Sequence, residues 1–180
     1  MNILIMAAGA VGGYFGSVLS SSNDVTFVAR GEHLRKIQES GLSVKSVTSG
    51  NYVCWSKAYK EPPPEYKADL AIFCVKEYQN EQACEIIANS ISDNTTILTL
   101  QNGLGSGEFL GQKFGSEKVI LGAAYVEASK GEPGEIFEHG GGCSITFGKQ
   151  SDIQEGRVRE LANIFESSNV DFTVSENIHD

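Results

Sequence analysis

Residues 2–16 read NILIMAAGAVGGYFG. A short apolar run, ILIM at residues 3–6, meets a cluster of small residues that includes Gly9, Gly12, Gly13 and Gly16. A run of that length suits a strand covered on both faces, and the small residues after it suit a tight turn into a helix. Strand, glycine-rich turn and helix, in that order, present backbone N–H groups to a phosphate at the helix N-terminus. Gly9 supplies the close backbone approach and Gly12 the tight contact between helix and sheet. Ala7 stands where such a turn has its first glycine, a place that a methyl group tolerates if φ stays negative.

Outward from this unit, β-rich runs alternate with helical patterns. DVTFVAR (residues 24–30) reads as a second strand, and GEHLRKIQES (31–40) as a helix stopped by Gly41. LSVKSV (42–47) is a third strand, NYVCWS (51–56) its hairpin partner or extension, and EPPPEYK (61–67) a loop, since proline removes a donor and disfavours helix before it. ADLAIFCV (68–75) has the near-continuous apolar character of a central parallel strand. A helix (80–91), a strand (95–100), a helix (105–114) and a strand (118–128) follow. GEIFEH (134–139) and CSITFG (143–148) read as two extra antiparallel strands, before a closing helix (153–168) and a last strand (169–174). The alternation predicts an α/β fold, a doubly wound and mainly parallel sheet, with no internal repeat.

A chain of 180 residues is one domain of ordinary size, and 41% apolar residues suit a globular core. A net charge of −9 argues against a nucleic-acid surface, which needs a basic patch. Cys54, Cys74, Cys84 and Cys143 form no C-x-x-C pair; Cys74 and Cys143 lie in apolar runs and read as buried thiols. No basic signal-peptide start and no membrane-length apolar run occur, so the expected setting is the cytoplasm, with no membrane partner. His33, His139 and His179 have no metal-ligand spacing, and His33 reads as a surface helix histidine. Packing accounts for Trp55 and for Tyr52, Tyr59 and Tyr66 around the proline loop.

In open parallel sheets, ligands bind at the carboxyl ends of the strands. The second strand ends in Arg30, where an NAD site places Asp or Glu about 20 residues beyond the turn. A guanidinium there suits a 2′-phosphate and therefore NADP, and it weighs against S-adenosylmethionine. FCVK delivers Lys76 to the cleft, either as a solvated strand end or as a charge facing an anion. LTLQNG ends in Gln101, Asn102 and Gly103, either a plain Asn-Gly turn or an amide that binds a nicotinamide ribose and a substrate hydroxyl.

AGAVGGYFG, DVTFVARGEHL, FCVKEYQ, LQNGLG and GAAYVEASKGEPGEI, in this order over nearly the whole chain, resemble the ketopantoate reductase family. The resemblance implies a Rossmann domain over residues 1–174, with 175–180 beginning the linker to a helical domain that this chain lacks. It implies NADPH-dependent reduction of 2-dehydropantoate to pantoate, on the route to pantothenate and coenzyme A, and allows a homodimer of the full-length protein. Carried over by residue, the turn Ala7, Ala8, Gly9, Ala10, Val11 and Gly12 holds the pyrophosphate and Arg30 the 2′-phosphate. Lys76 lines the cofactor and substrate cleft, Asn102 contacts nicotinamide and substrate, and Ala128 contacts the cofactor through its backbone. The family's catalytic lysine falls beyond Asp180, so no catalytic residue is expected in this chain. It is then an expressed fragment or a shortened gene product that binds NADPH with negligible turnover. A non-catalytic NADP sensor or scaffold, and a related reductase of another 2-keto acid, share the same cofactor half.

Overall fold

The computed structural model describes residues 1–101, 105–176 and 178. Strand β1 (Asn2–Met6) shows why the first apolar run decides the architecture. Successive strand side chains point to opposite faces. Ile3 and Ile5 enter one core with Val25, Phe27, Leu70, Ile72, Leu98 and Ile120. Leu4 and Met6 enter a second with Val28, Ala71, Phe73, Ile97 and Val119. The same alternation runs through β2 (Asp24–Val28), β6 (Leu70–Phe73), β7 (Thr96–Thr99) and the start of β8 (Val119–Lys130), all mutually parallel. Helices α1 (Ala10–Leu19), α2 (Gly31–Ser40) and α5 (Glu155–Ser167) cover the first core, whereas α3 (Asn80–Ile87) and α4 (Ser106–Phe114) cover the second. The fold is the doubly wound α/β arrangement that the alternation predicts.

With β3 (Leu42–Ser46), β4 (Gly50–Cys54), β5 (Lys57–Tyr59), β9 (Glu135–Gly148) and β10 (Asp171–Val174) added, the sheet order is β4-β3-β9-β8-β7-β6-β1-β2-β5, and β10 pairs with β9. The chain leaves β1 toward β2 on one side and reaches β6 on the other, so the switch in strand order lies at β1. β3 does not lie beside β2. It crosses to the far side, runs parallel to β9 and forms a hairpin with β4, while the short β5 flanks β2. The small residues of α1 make that wrap possible. A Cβ at Gly13 would press on Ile136 of β9 at 2.9 Å, and one at Gly16 on Ile5 at 2.8 Å.

The two antiparallel strands expected over 134–148 are one strand of 14 residues, broken in register between Val126 and Ala128 of its partner. Gly140, Gly141 and Gly142, all with positive φ, form the bulge. Glu138 beside it is 2% exposed and accepts hydrogen bonds from Ser46 Oγ (2.6 Å), the Thr48 amide (2.9 Å) and the Gly140 amide (2.5 Å). Burial pushes its carboxyl up, but these donors outweigh burial and bring it down to about 2. Two readings of single residues are corrected. Trp55 is 73% exposed, because it follows β4, the edge strand of the sheet. Cys54 and Cys84 are the buried thiols, whereas Cys74 and Cys143 are half-buried, since one follows the end of β6 and the other leaves the bulge. Among the described residues, no helix is long and apolar enough to cross a membrane.

Candidate functional site

The turn from β1 into α1 occupies Ala7, Ala8 and Gly9. The Ala8 amide donates to the Val28 carbonyl at 3.0 Å and ties the turn to the end of β2. Gly9 is the N-cap of α1, with φ −79° and ψ −163°, and no side chain caps the helix. The first amides of a helix have no intrahelical acceptor. The first turn of α1 carries no acidic residue either, so its partial positive charge is available to an outside anion.

Ala7 has φ +82°, which overturns the expectation of a negative φ. The chain reverses between strand and helix here, and the Ala7 carbonyl lies where a Cβ at Gly12 would stand. The turn keeps the backbone that glycine favours, and the methyl group adds strain on the order of 1 kcal/mol. Gly9 and Gly12 then differ. A Cβ at Gly12 would overlap the Ala7 carbonyl oxygen and press on Ile5 (2.9 Å), whereas one at Gly9 would meet nothing within 4 Å among the described residues.

Above the turn lies an open cleft of about 210 Å³ at the carboxyl ends of β1, β2 and β6. Ala7, Ala8, Gly9 and Arg30 line it together. Val28, Val75, Ala83 and Ile86 make an apolar wall, and Gln79 and Gln82 add amides. Ala10 and Val11 are half-buried in the first turn of α1, and Gly12 is buried behind them. Lys76 is exposed just beyond Val75, outside the cleft lining. Ala128 is half-buried on β8 opposite Glu138, also outside it. Asn102 lies outside the described residues. Its neighbour Gln101 is buried, and its Nε2 donates to the Val75 carbonyl (2.8 Å) and to Asn80 Oδ1 (2.6 Å). That amide clamps the end of β7 to the exit of β6, and fixes the backbone just before Lys76.

Two cations escape a linear reading: Lys60 and Lys130 line the same cleft as Arg30. Lys60 arrives because β5 pairs with β2, where the Ala29 amide donates to the Tyr59 carbonyl at 3.0 Å. Lys130 arrives at the tip of β8, which runs well past the end of β7. Arg35, Lys45, Lys57, Lys113, Lys118 and Lys149 all sit in ion pairs. The side chains of Arg30, Lys60 and Lys130 have neither an ion-pair nor a hydrogen-bond partner among the described residues. Glu32, the nearest acid in sequence, is engaged by Arg35.

His33 is also corrected: it is 8% exposed and lines the cleft. The first turn of α2 aims its ring at the phosphate-type turn, not at solvent, and burial holds the imidazole below its usual range. His139 lies away from the cleft and shares a 2.9 Å hydrogen bond with Ser129. His179 lies outside the described residues. Among the described residues, no group of three or more His, Cys, Asp or Glu side chains is placed to hold a metal.

The family model described as ketopantoate reductase PanE/ApbA matches residues 3–152. The 2-dehydropantoate 2-reductase of Pyrococcus abyssi is 32% identical over 99% of this chain and 57% of its own length. The crystal structure of 2-dehydropantoate 2-reductase from Geobacter metallireducens superposes with a TM-score of 0.89 and 36% identity, over 97% of this chain and 58% of that one. A ternary structure of D-mandelate dehydrogenase with NADH and anilino(oxo)acetate superposes with a TM-score of 0.92 and 28% identity, over 99% and 58%. The chain therefore spans less than three-fifths of the length of these relatives.

Proposed function

This chain belongs to the ketopantoate reductase PanE/ApbA family, and on that premise we propose that it is the NADPH-binding part of an enzyme that reduces 2-dehydropantoate to (R)-pantoate. The observation that carries the reading is the charge pattern of the cleft. In a chain of net charge −9, three cations without a counter-charge among the described residues line one cleft beside an uncapped helix N-terminus. That donor set fits a dinucleotide with an additional phosphate. The N-terminus of α1 and the open space over Gly9 suit a pyrophosphate, and Arg30 with Lys60 and Lys130 suits the 2′-phosphate. The wall of Val28, Val75, Ala83 and Ile86 suits a heterocyclic base.

When bound, the nicotinamide supplies the hydride. The chain's own residues bind and orient. Ala7–Gly12 carry the pyrophosphate, Ala128 contributes backbone, and Asn102 and Lys76 orient nicotinamide and keto acid. Lys76 offers its ammonium to the carboxylate of the substrate. The proton for the keto oxygen is assigned to the portion of the relatives that this chain does not span. Residues 1–180 by themselves are accordingly expected to bind NADPH with negligible turnover of 2-dehydropantoate, and substantial turnover by them would refute that assignment.

Fluorescence titration with NADPH and NADH, for the parent and for Arg30→Ala, tests the cofactor. The parent should prefer NADPH, and the variant should lose about 1.5–3 kcal/mol of NADPH binding, because a charge-assisted contact is removed. Equal affinity for the two dinucleotides in the parent would remove the case for NADP. The likeness to D-mandelate dehydrogenase favours a second reading, in which the same cofactor half serves another 2-keto acid. Arg30 counts against NADH as the natural cofactor even there.

A further inference from the structure

His33 bridges two parts of the cleft that are far apart in sequence. Its Nε2 lies 2.7 Å from the Ala8 carbonyl oxygen, and its Nδ1 lies 2.9 Å from the Gly134 amide nitrogen. A carbonyl accepts and an amide donates, so one neutral tautomer satisfies both contacts, with hydrogen on Nε2 and a bare Nδ1. The first contact sets a peptide plane. In a trans peptide the carbonyl and the following N–H point to opposite sides. Holding the Ala8 carbonyl toward α2 therefore turns the Gly9 amide the other way, at the N-cap of α1.

The second contact docks the β8–β9 turn. Gly134 has φ +85°, its carbonyl accepts from the Ser43 amide at 2.8 Å, and a Cβ on it would press on Lys36 Cβ at 2.8 Å. Lys130 enters the cleft from that same hairpin tip. Lys130 on the hairpin is the charge that acts on the ring, Arg30 and Lys60 share its cleft, and the turn Ala7–Gly12 contributes no charge.

We propose that His33 is a positioning residue for the cofactor: its Nε2–H tautomer locks the turn and the hairpin tip together, so that the Gly9 amide and the Lys130 ammonium serve one anionic ligand. The inference rests on the reading of the cleft as a dinucleotide site. An imidazolium at this position would set an N–H of its own against the Gly134 amide and release the hairpin. Lys60 and Arg30, on β5 and after β2, would remain in place.

The test is NADPH titration of the parent, His33→Leu, His33→Gln, Lys130→Ala and the His33→Leu/Lys130→Ala double variant, with melting curves for each. His33→Leu should weaken NADPH binding about tenfold, the scale of one or two lost hydrogen bonds. His33→Gln, whose amide offers both a donor and an acceptor, should recover most of that loss. The losses of His33→Leu and Lys130→Ala should overlap in the double variant, because the first acts partly through the second.

Unchanged affinity in His33→Leu, or losses that multiply as if independent, would overturn the proposal. Should His33→Leu fail to fold, long-range proton–nitrogen spectra of the parent decide instead. An Nε2–H signal at neutral pH supports the lock, and an Nδ1–H tautomer or an imidazolium refutes it. A parent that binds neither NADPH nor NADH defeats the dinucleotide reading and this inference together. A parent that binds, beside a folded His33→Leu variant that binds as well, defeats the inference alone.

Discussion

The mouth and the flank of α1 are both built from glycine, and they use it differently. At the mouth, a methyl on Gly9 would meet nothing within 4 Å among the described residues. Along the flank, methyls on Gly12, Gly13 and Gly16 would press into Ile5, Ile136 and Phe27 within 3 Å. The flank glycines allow the helix to sit against β1 and β2 on one side and β3 and β9 on the other. The missing side chain of the mouth glycine makes room for nothing among the described residues, so the space above it belongs to whatever the cleft receives. One segment of sequence thus divides into residues that hold the fold and residues that leave room.

The sharpest way to break this comparison is to put a methyl on each side of it. Gly16→Ala sets a Cβ against Phe27 (2.5 Å) and Ile5 (2.8 Å), fully buried side chains of β2 and β1. It should cost about 2 kcal/mol of stability and lower Tm by roughly 4–8 °C, measurable by calorimetry. An unchanged Tm would mean that α1 shifts freely, and the division would fail.

Gly9→Ala should do the opposite. Its φ of −79° is ordinary for alanine, so stability should stay within about 0.5 kcal/mol of the parent. NADPH affinity should fall about tenfold, close to 1.4 kcal/mol, because the methyl occupies the approach to the helix amides. Unaltered binding would place the ligand elsewhere in the cleft. The smallest effect belongs to Ala7→Gly, at the junction of the two regions. Relief of the positive φ, less the extra freedom of glycine in the unfolded chain, should raise stability by about 0.5 kcal/mol. A lower Tm would mean that the methyl group contributes packing that exceeds its strain.

Much of the fold was legible because its signals are local. The β1 run, the helix over residues 31–40 with its Gly41 stop, and the alternation of strand and helix all depend on neighbours within a few positions. Arg30 was legible for the same reason: it ends a strand at a fixed distance from the turn. Lys60, Lys130 and His33 were hidden because each joins the cleft through a long-range pairing. β5 lies against β2, the hairpin overhangs β7, and α2 turns its first residues toward β1. A lysine after a short strand and a histidine in a polar helix carry no local mark of such a destination.

From its own order of residues, then, the chain determined the strand–turn–helix unit, the two-faced burial of the central strands and a positive charge just beyond the end of β2. Those outcomes follow from side-chain size, period and charge over short stretches, where the chain has few alternatives. Tertiary structure alone decided that β3 would cross to β9, that Ala7 would take a glycine backbone, and that three cations and one buried imidazole would face one cleft. Each depends on which distant surfaces fit once the glycine flank of α1 has been buried, and pairing between residues 25 to 101 positions apart leaves no periodic trace in sequence.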